Sequence, residues 1–315
     1  MKRRLRTWAA PLLVRALVVC TRALPRRTGL RLFSRFGSLA FALDRKDRAR
    51  AARNLALAFP DGDPMIVAAM AKGSFIALGR NACDALRLAY LSKEQMLDLC
   101  AIDGEAHLWE ACRAGKGVIA LTGRIGCWEI LPVYLSCKGY KVSVMFGDTY
   151  GRRITDMLIS ARGRHGVTSI PGVDPAVAGL AVLERGGILG MLFDRHAGAS
   201  GSMVPFFGAP ACMPREAAAF AVRSGASVVP MAIHMQPDGR HRVTVLPAID
   251  PPEPASSELE RIDEYTRRGA LAIEGLVRMY PQQWVWSSGR WDGKETVDCA
   301  GSSREPLFGA TESRK

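Results

Sequence analysis

Apolar residues recur at three- and four-residue spacing through residues 30–43, 46–59 and 65–91. This spacing predicts a chain that is helical throughout before Ile102. The segment Pro60-Asp61-Gly62-Asp63-Pro64 closes the second of these helices. Beyond Gly115 short apolar runs alternate with helical stretches: 118–121 then 127–138, 142–146 then 152–165, 167–170 then 174–185, and finally 188–193. That alternation is the pattern of βαβ units with buried parallel strands and crossover helices. A Gly-rich loop at 197–202 follows, then an apolar run at 203–207 and a helix at 215–224. Two strands at 227–235 and 242–246 are joined as a hairpin by the Pro-Asp-Gly turn at 237–239, and a last helix runs over 258–279. The expected fold is therefore one α/β domain, with a mostly parallel central sheet flanked by helices and a helical N-terminal portion. In such a sheet ligands gather at the carboxyl ends of the strands, so the loops starting at Thr122, Phe146, Pro171 and Asp194 are the ones to watch.

Charge changes the picture at the N-terminus. Of 315 residues 43 are basic and 30 acidic, and Lys2, Arg3, Arg4, Arg6, Arg15, Arg22, Arg26, Arg27 and Arg31 all precede the first acid, Asp44. The apolar run 8–24 carries Arg15 and Arg22 and falls short of the roughly 20 clean residues a bilayer crossing needs. Residues 1–24 therefore read as a basic, apolar, membrane-associating helix at an anionic leaflet. A cleaved signal peptide is the competing reading, although Ala23-Leu24-Pro25-Arg26-Arg27 offers no small-x-small junction. The α/β domain is expected over 25–299 and a loose Ser/Gly/charged tail over 300–315. Nucleic-acid binding has little support, because aromatics are not interleaved with the basic residues.

The apolar fraction of 48% excludes disorder for the bulk of the chain. The eight cysteines form no C-x-x-C pair and are expected as reduced thiols. The five histidines are dispersed with none at i, i+4, so neither a metal nor a cofactor is implied.

The candidate chemistry begins at Gly117-Val118-Ile119-Ala120-Leu121-Thr122-Gly123-Arg124-Ile125-Gly126-Cys127-Trp128-Glu129, where a buried strand runs through a glycine turn into a helix. Supporting stretches are residues 53–60, Arg162-Gly163-Arg164-His165-Gly166, Leu192-Phe193-Asp194, 204–210, 224–230 and 280–286. Taken in order over about residues 50–291, they resemble the lipid A biosynthesis (lauroyl/myristoyl) acyltransferase family of the bacterial lysophospholipid acyltransferases. The resemblance implies a glycerol-3-phosphate acyltransferase-like fold and a place on the cytoplasmic side of the inner membrane, peripheral or held by one N-terminal anchor. It also implies a His-x4-Glu pair in which the histidine is general base towards a lipid hydroxyl. The acyl donor would be acyl carrier protein or acyl-CoA, and a carrier's acidic surface suits this basic chain. The acceptor would be a membrane glycolipid or lysophospholipid, with no cofactor.

The sequence departs from the family at the base. Arg124 stands where the histidine would, and a guanidinium has no lone pair to offer. Glu129 keeps the acid's place, Cys127 replaces an asparagine, Ser288 and Gly289 replace His-Arg, and Arg215-Glu216 replaces Thr-Gly. Arg124, Glu129 and Asp194 are the candidate catalytic residues, and Arg162, Arg164, Cys127 and His196 the candidate substrate-binding ones. Arg124 and Glu129 form a structural ion pair, or Arg124 binds an anion at the helix start. Cys127 is a buried inert thiol or an acyl-accepting nucleophile. Asp194 caps its turn, or holds a basic partner and shapes the acceptor site. Arg162 and Arg164 face substrate phosphates or are a solvated helix end. His196 is solvated or supplies the missing base. Phe206, Phe207, Trp284 and Trp286 belong to the core or to a membrane interface. An active transferase and a catalytically silent lipid- or partner-binding member both fit.

Overall fold

A computed structural model describes Val19 and residues 21–146, 151–170, 175–195, 197, 201–253 and 257–291. Most of the segment 1–24 expected to associate with a membrane, His196 and the tail 300–315 therefore lie outside the described residues.

The N-terminal portion is helical, as expected, in α1 (Arg26–Leu43), α2 (Arg45–Ala58) and α3 (Pro64–Arg87). Asp44 caps α2 by accepting from Asp47 N at 3.0 Å, and Asp63 caps α3 by accepting from Met65 N at 2.7 Å, with Pro64 at the first helical position. Helices α1 and α3 pack so closely that a Cβ on Gly37 would lie 2.3 Å from the Phe75 carbonyl oxygen. After a short helix α4 (Lys93–Leu99), boxed by Ser92 and Gln95, the chain enters strand β1 (Cys100–Asp103). This corrects the expectation of helix up to Ile102.

The remaining elements are α5 (Glu105–Arg113), β2 (Val118–Thr122), α6 (Ile130–Cys137), β3 (Val142–Met145), α7 (Arg152–Gly163), β4 (Thr168–Ile170), α8 (Pro175–Glu184) and β5 (Ile188–Leu192), then β6 (Gly201–Phe206), β7 (Ala209–Pro214), α9 (Glu216–Ser224), β8 (Ser227–Met235), β9 (His241–Val245) and α10 (Glu258–Met279). Seven strands form one sheet in the order β1-β9-β8-β2-β5-β3-β4, parallel except for the β8–β9 hairpin. Strand β2 is central and buried along its whole length, so its carboxyl end delivers Thr122 and the following turn to the middle of the sheet's ligand-binding edge.

Strands β6 and β7 make a separate antiparallel ladder whose turn places Phe207 at φ 53° and Gly208 at φ 76°, the paired left-handed geometry of a tight hairpin. Phe207 is held there by a T-shaped contact with Phe206 at 5.0 Å and by stacking on Trp284 at 6.3 Å. Trp284 and Trp286 are 1% and 0% exposed and Phe206 is 0% exposed, so these aromatics are core. Cys83, Cys100, Cys112, Cys127 and Cys137 are free thiols, whereas Cys212 is disulfide-bonded, against the expectation of reduced thiols throughout. None of the described helices is long and apolar enough to cross a membrane.

A buried polar lock fastens the helical portion to the sheet. Asp84 of α3, 1% exposed, accepts from Arg26 Nε at 2.9 Å and Nη2 at 2.7 Å, and from His241 Nε2 of β9 at 2.8 Å. Burial alone would raise the Asp84 pKa, but the hydrogen bonds from His241 and Arg26 outweigh it and hold the carboxyl below its ordinary range. Asp84→Ala leaves a buried imidazole and a half-buried guanidinium unpaired and is expected to cost about 3 kcal/mol in urea denaturation at pH 7. The Asp84 contribution is present above the unfolded-state pKa, about 3.9, and is lost as pH falls through the lower folded value. The gap between wild type and variant should therefore narrow below about pH 4.

Candidate active site

The turn after β2 does not run straight into a helix. Residues 123–129 remain non-helical and α6 begins only at Ile130, three residues later than the periodicity suggests. The cause is tertiary. Gly126 takes φ +55°, and a Cβ there would sit 2.1 Å from the Ile233 carbonyl oxygen of β8, a position open only to glycine. The turn is gripped from two further sides: Gly126 N donates to Gln283 O at 2.8 Å, and buried Asn81 of α3 donates through Nδ2 to Gly126 O at 2.7 Å. Ile125 also makes an isolated antiparallel bridge with Trp284.

Asp194, just past the carboxyl end of neighbouring β5, is fully buried. Its Oδ2 accepts from Arg124 N at 2.8 Å and from Trp284 Nε1 at 2.7 Å, and its Oδ1 accepts from Arg124 Nε at 3.4 Å. The Asp194 carbonyl accepts from Arg124 Nη2 at 2.7 Å and from Arg290 Nη2. Arg290 in turn lies over the rings of Phe206 and Trp284 at 5.6 and 5.3 Å. The carboxylate is thus a partner for a basic residue, and it fixes both the backbone and the side chain of Arg124.

Glu129 is buried beside the turn and pairs with Arg162 of α7, whose Nε donates to Oε2 at 3.0 Å and whose Nη2 donates to the same oxygen. The Arg162 guanidinium also sits 4.8 Å over the Phe146 ring. Arg124 and Glu129 make no ion pair with each other. Each is held by a separate partner, Asp194 or Arg162.

The other candidates fall in different places. Cys127 is 1% exposed, with Sγ 3.5 Å from Asn81 O. Burial, with Asp84 and Glu129 adding to it, drives its pKa well above the usual thiol range, so it is a poor nucleophile. Arg164 points away from the turn and donates to Ala89 O at 3.0 Å, in a polar cavity shared with Lys93 and His165. His196 lies outside the described residues. Sequence reasoning did not single out Arg195, which pairs with Glu216, or the clamp role of Arg290 and Trp284. The surviving Arg290 within the Trp-rich segment was the available signal.

These pieces surround a cavity of about 340 Å3 under the sheet's carboxyl edge. Its interior is apolar, with Leu131 and Leu135 of α6, Val144 of β3 and Met191 of β5 on the wall, and its polar wall is Arg124, Glu129, Arg162 and Arg195. Trp128 Nε1 and Arg162 Nη1 are buried on this wall with no hydrogen-bond partner among the described residues, donors left over for a ligand's oxygen. Chemically, the wall can stabilise an oxyanion through guanidinium donors. Glu129 is the carboxylate among its described residues, and no histidine is among them.

The chain matches the family model described as bacterial lipid A biosynthesis acyltransferase over residues 2–292. It is also 24% identical over 227 residues to a phosphatidylinositol mannoside acyltransferase of Mycolicibacterium smegmatis, a match covering 70% of this chain and 71% of that relative. The chain belongs to the lipid A biosynthesis acyltransferase family. That membership supports acyl transfer to a lipid-type acceptor.

The burial of Cys127 makes a direct prediction. Native-state alkylation with iodoacetamide at pH 8 should leave Cys127 unmodified by peptide mass spectrometry while Cys112, which is partly exposed, reacts. Fast modification of Cys127, or an acyl adduct on it, would restore the nucleophile reading.

Proposed function

We propose that this chain is a peripheral membrane acyltransferase that moves a fatty acyl chain from a carrier thioester to a hydroxyl of a glycolipid or lysophospholipid. The observation that carries this reading is the cavity: an apolar interior suited to an alkyl chain, with Arg124 and Glu129 together on its polar wall. In the proposed step the acceptor oxygen attacks the thioester carbonyl carbon while Glu129 takes the hydroxyl proton. The carbonyl electrons move onto oxygen, where Arg124 donates to the oxyanion. Collapse then breaks the C–S bond, and the leaving thiolate takes the proton back from Glu129. Asp194 and Arg162 are positioning residues: one holds the guanidinium in place, and the other orients the carboxylate.

A carrier protein is the favoured donor, because its acidic surface complements a chain of formal charge +13. The ten basic residues before Asp44 favour the cytoplasmic face of the inner membrane as its place of work. The relative named as a phosphatidylinositol mannoside acyltransferase favours a glycolipid acceptor. A second reading has its own support. The family's histidine position holds an arginine pinned to Asp194, which suits a silent member that keeps the acyl cavity for binding alone.

Incubation of the purified chain with radiolabelled acyl carrier protein and total membrane lipid separates the two. The transferase reading predicts labelled lipid, with kcat/KM reduced at least about 100-fold in Glu129→Gln. No labelled lipid, under conditions where a histidine-containing relative is active, would favour the silent member.

A further inference from the structure

A second apolar groove approaches Glu129 from a different direction. It has a volume of about 280 Å3 and runs between Phe33 of α1, Leu78 and Leu86 of α3, and Met157 and Leu158 of α7. Trp128 and Glu129 line both this groove and the acyl cavity, so the two spaces meet at one pair of residues.

The outer end of the groove adjoins an unusual helix face. Helix α1 buries Gly29, Leu30, Phe33 and Gly37 against α3, yet Phe36, Leu39 and Leu43 remain 44%, 53% and 72% exposed. These three follow i, i+3, i+7 spacing and form one stripe. Arg27, Arg31 and Arg35, all exposed, form a neighbouring stripe at i, i+4, i+8, and α1 carries no acid. Phe36 touches Phe33 edge-on, ring centroids 5.6 Å apart. An apolar path is thus continuous from the exposed stripe, through Phe33 and half-exposed Leu78, into the groove and on to Glu129. An apolar stripe beside a purely basic one complements an anionic bilayer, with the aliphatic and aromatic side chains among the acyl chains and the guanidiniums at the phosphates.

We propose that α1 seats on an anionic bilayer by this face, and that the groove between α1, α3 and α7 takes one alkyl chain of a bilayer lipid sideways from the membrane. The proposal rests on the membrane-acyltransferase reading for its biological sense. It assigns the groove to the lipid from the bilayer and leaves the acyl cavity to the donor. A lipid chain seated there would bring its own headgroup region to the Trp128–Glu129 junction.

The test uses the full chain, phosphatidylglycerol vesicles carrying a small fraction of phosphatidylglycerol with a diazirine near the end of one acyl chain, and no acyl donor. After irradiation and digestion, adducts are mapped by mass spectrometry. Adducts are expected within residues 78–86 and 154–158 as well as on the 36–43 face. Ala82→Trp, an exposed position on the groove wall, should cut the groove adducts at least about ten-fold while sparing those at 36–43. Arg31→Glu with Arg35→Glu, which disturbs no buried position, should lower both sets by a similar factor, as should phosphatidylcholine vesicles. Adducts confined to 36–43, groove labelling that Ala82→Trp does not reduce, or occupation of the groove by residues 1–18 would overturn the proposal. Because no donor is present, labelling reports the groove whether or not the chain transfers an acyl group, so the two readings fail separately.

Discussion

The site depends on one buried carboxylate. Asp194 has no solvent to share its charge, and a carboxylate in that position persists only with donors packed around it. It finds them on the turn after β2, through the backbone and side chain of Arg124, and on the C-terminal segment, through the Trp284 indole. The same residue's carbonyl gathers Arg124 and Arg290. One side chain therefore ties together two neighbouring strand ends and a segment some ninety residues away in sequence. Arg124 gains its fixed position from this arrangement: it is a permanent cation on the wall of an apolar cavity, able to donate and unable to accept.

Much of the fold was legible because its signals are local and strong. The buried runs before Thr122 and Leu192 read as parallel strands, and both are, in register side by side. The Pro-Asp-Gly turn announced the β8–β9 hairpin. The misses have physical causes. Strand β1 is four residues long and follows a helix directly, too short for a period of two to register. The late start of α6 is imposed by the Ile233 carbonyl pressing on Gly126, a neighbour more than a hundred residues away.

The membership of the site was legible, but its pairing was not. Arg124 and Glu129 stand five apart and suggest a mutual ion pair, yet the left-handed Gly126 between them sends them to different partners. Arg162 and Arg164 are two residues apart at a helix end, so they face nearly opposite ways. One reaches Glu129 and the other the Ala89 carbonyl. Cys127 lies three residues after Arg124 near a helix start, which left an activated thiol open beside an inert one, and packing against α3 seals it as inert. In each case the residue types were visible, and what decided their roles was direction.

Two apolar spaces share Trp128 and Glu129 in their walls, and in the proposed transfer Glu129 stands where the donor chain and the acceptor converge. The central claim is that this carboxylate, with no histidine, receives the proton. The pH dependence of kcat/KM for acyl transfer tests it most directly. With a carboxylate as base and no histidine in the proton transfer, the profile carries no acid limb in the ordinary imidazole range. An acid limb centred near pH 6.5, the ordinary range of imidazole, would contradict the account and assign the proton to a histidine.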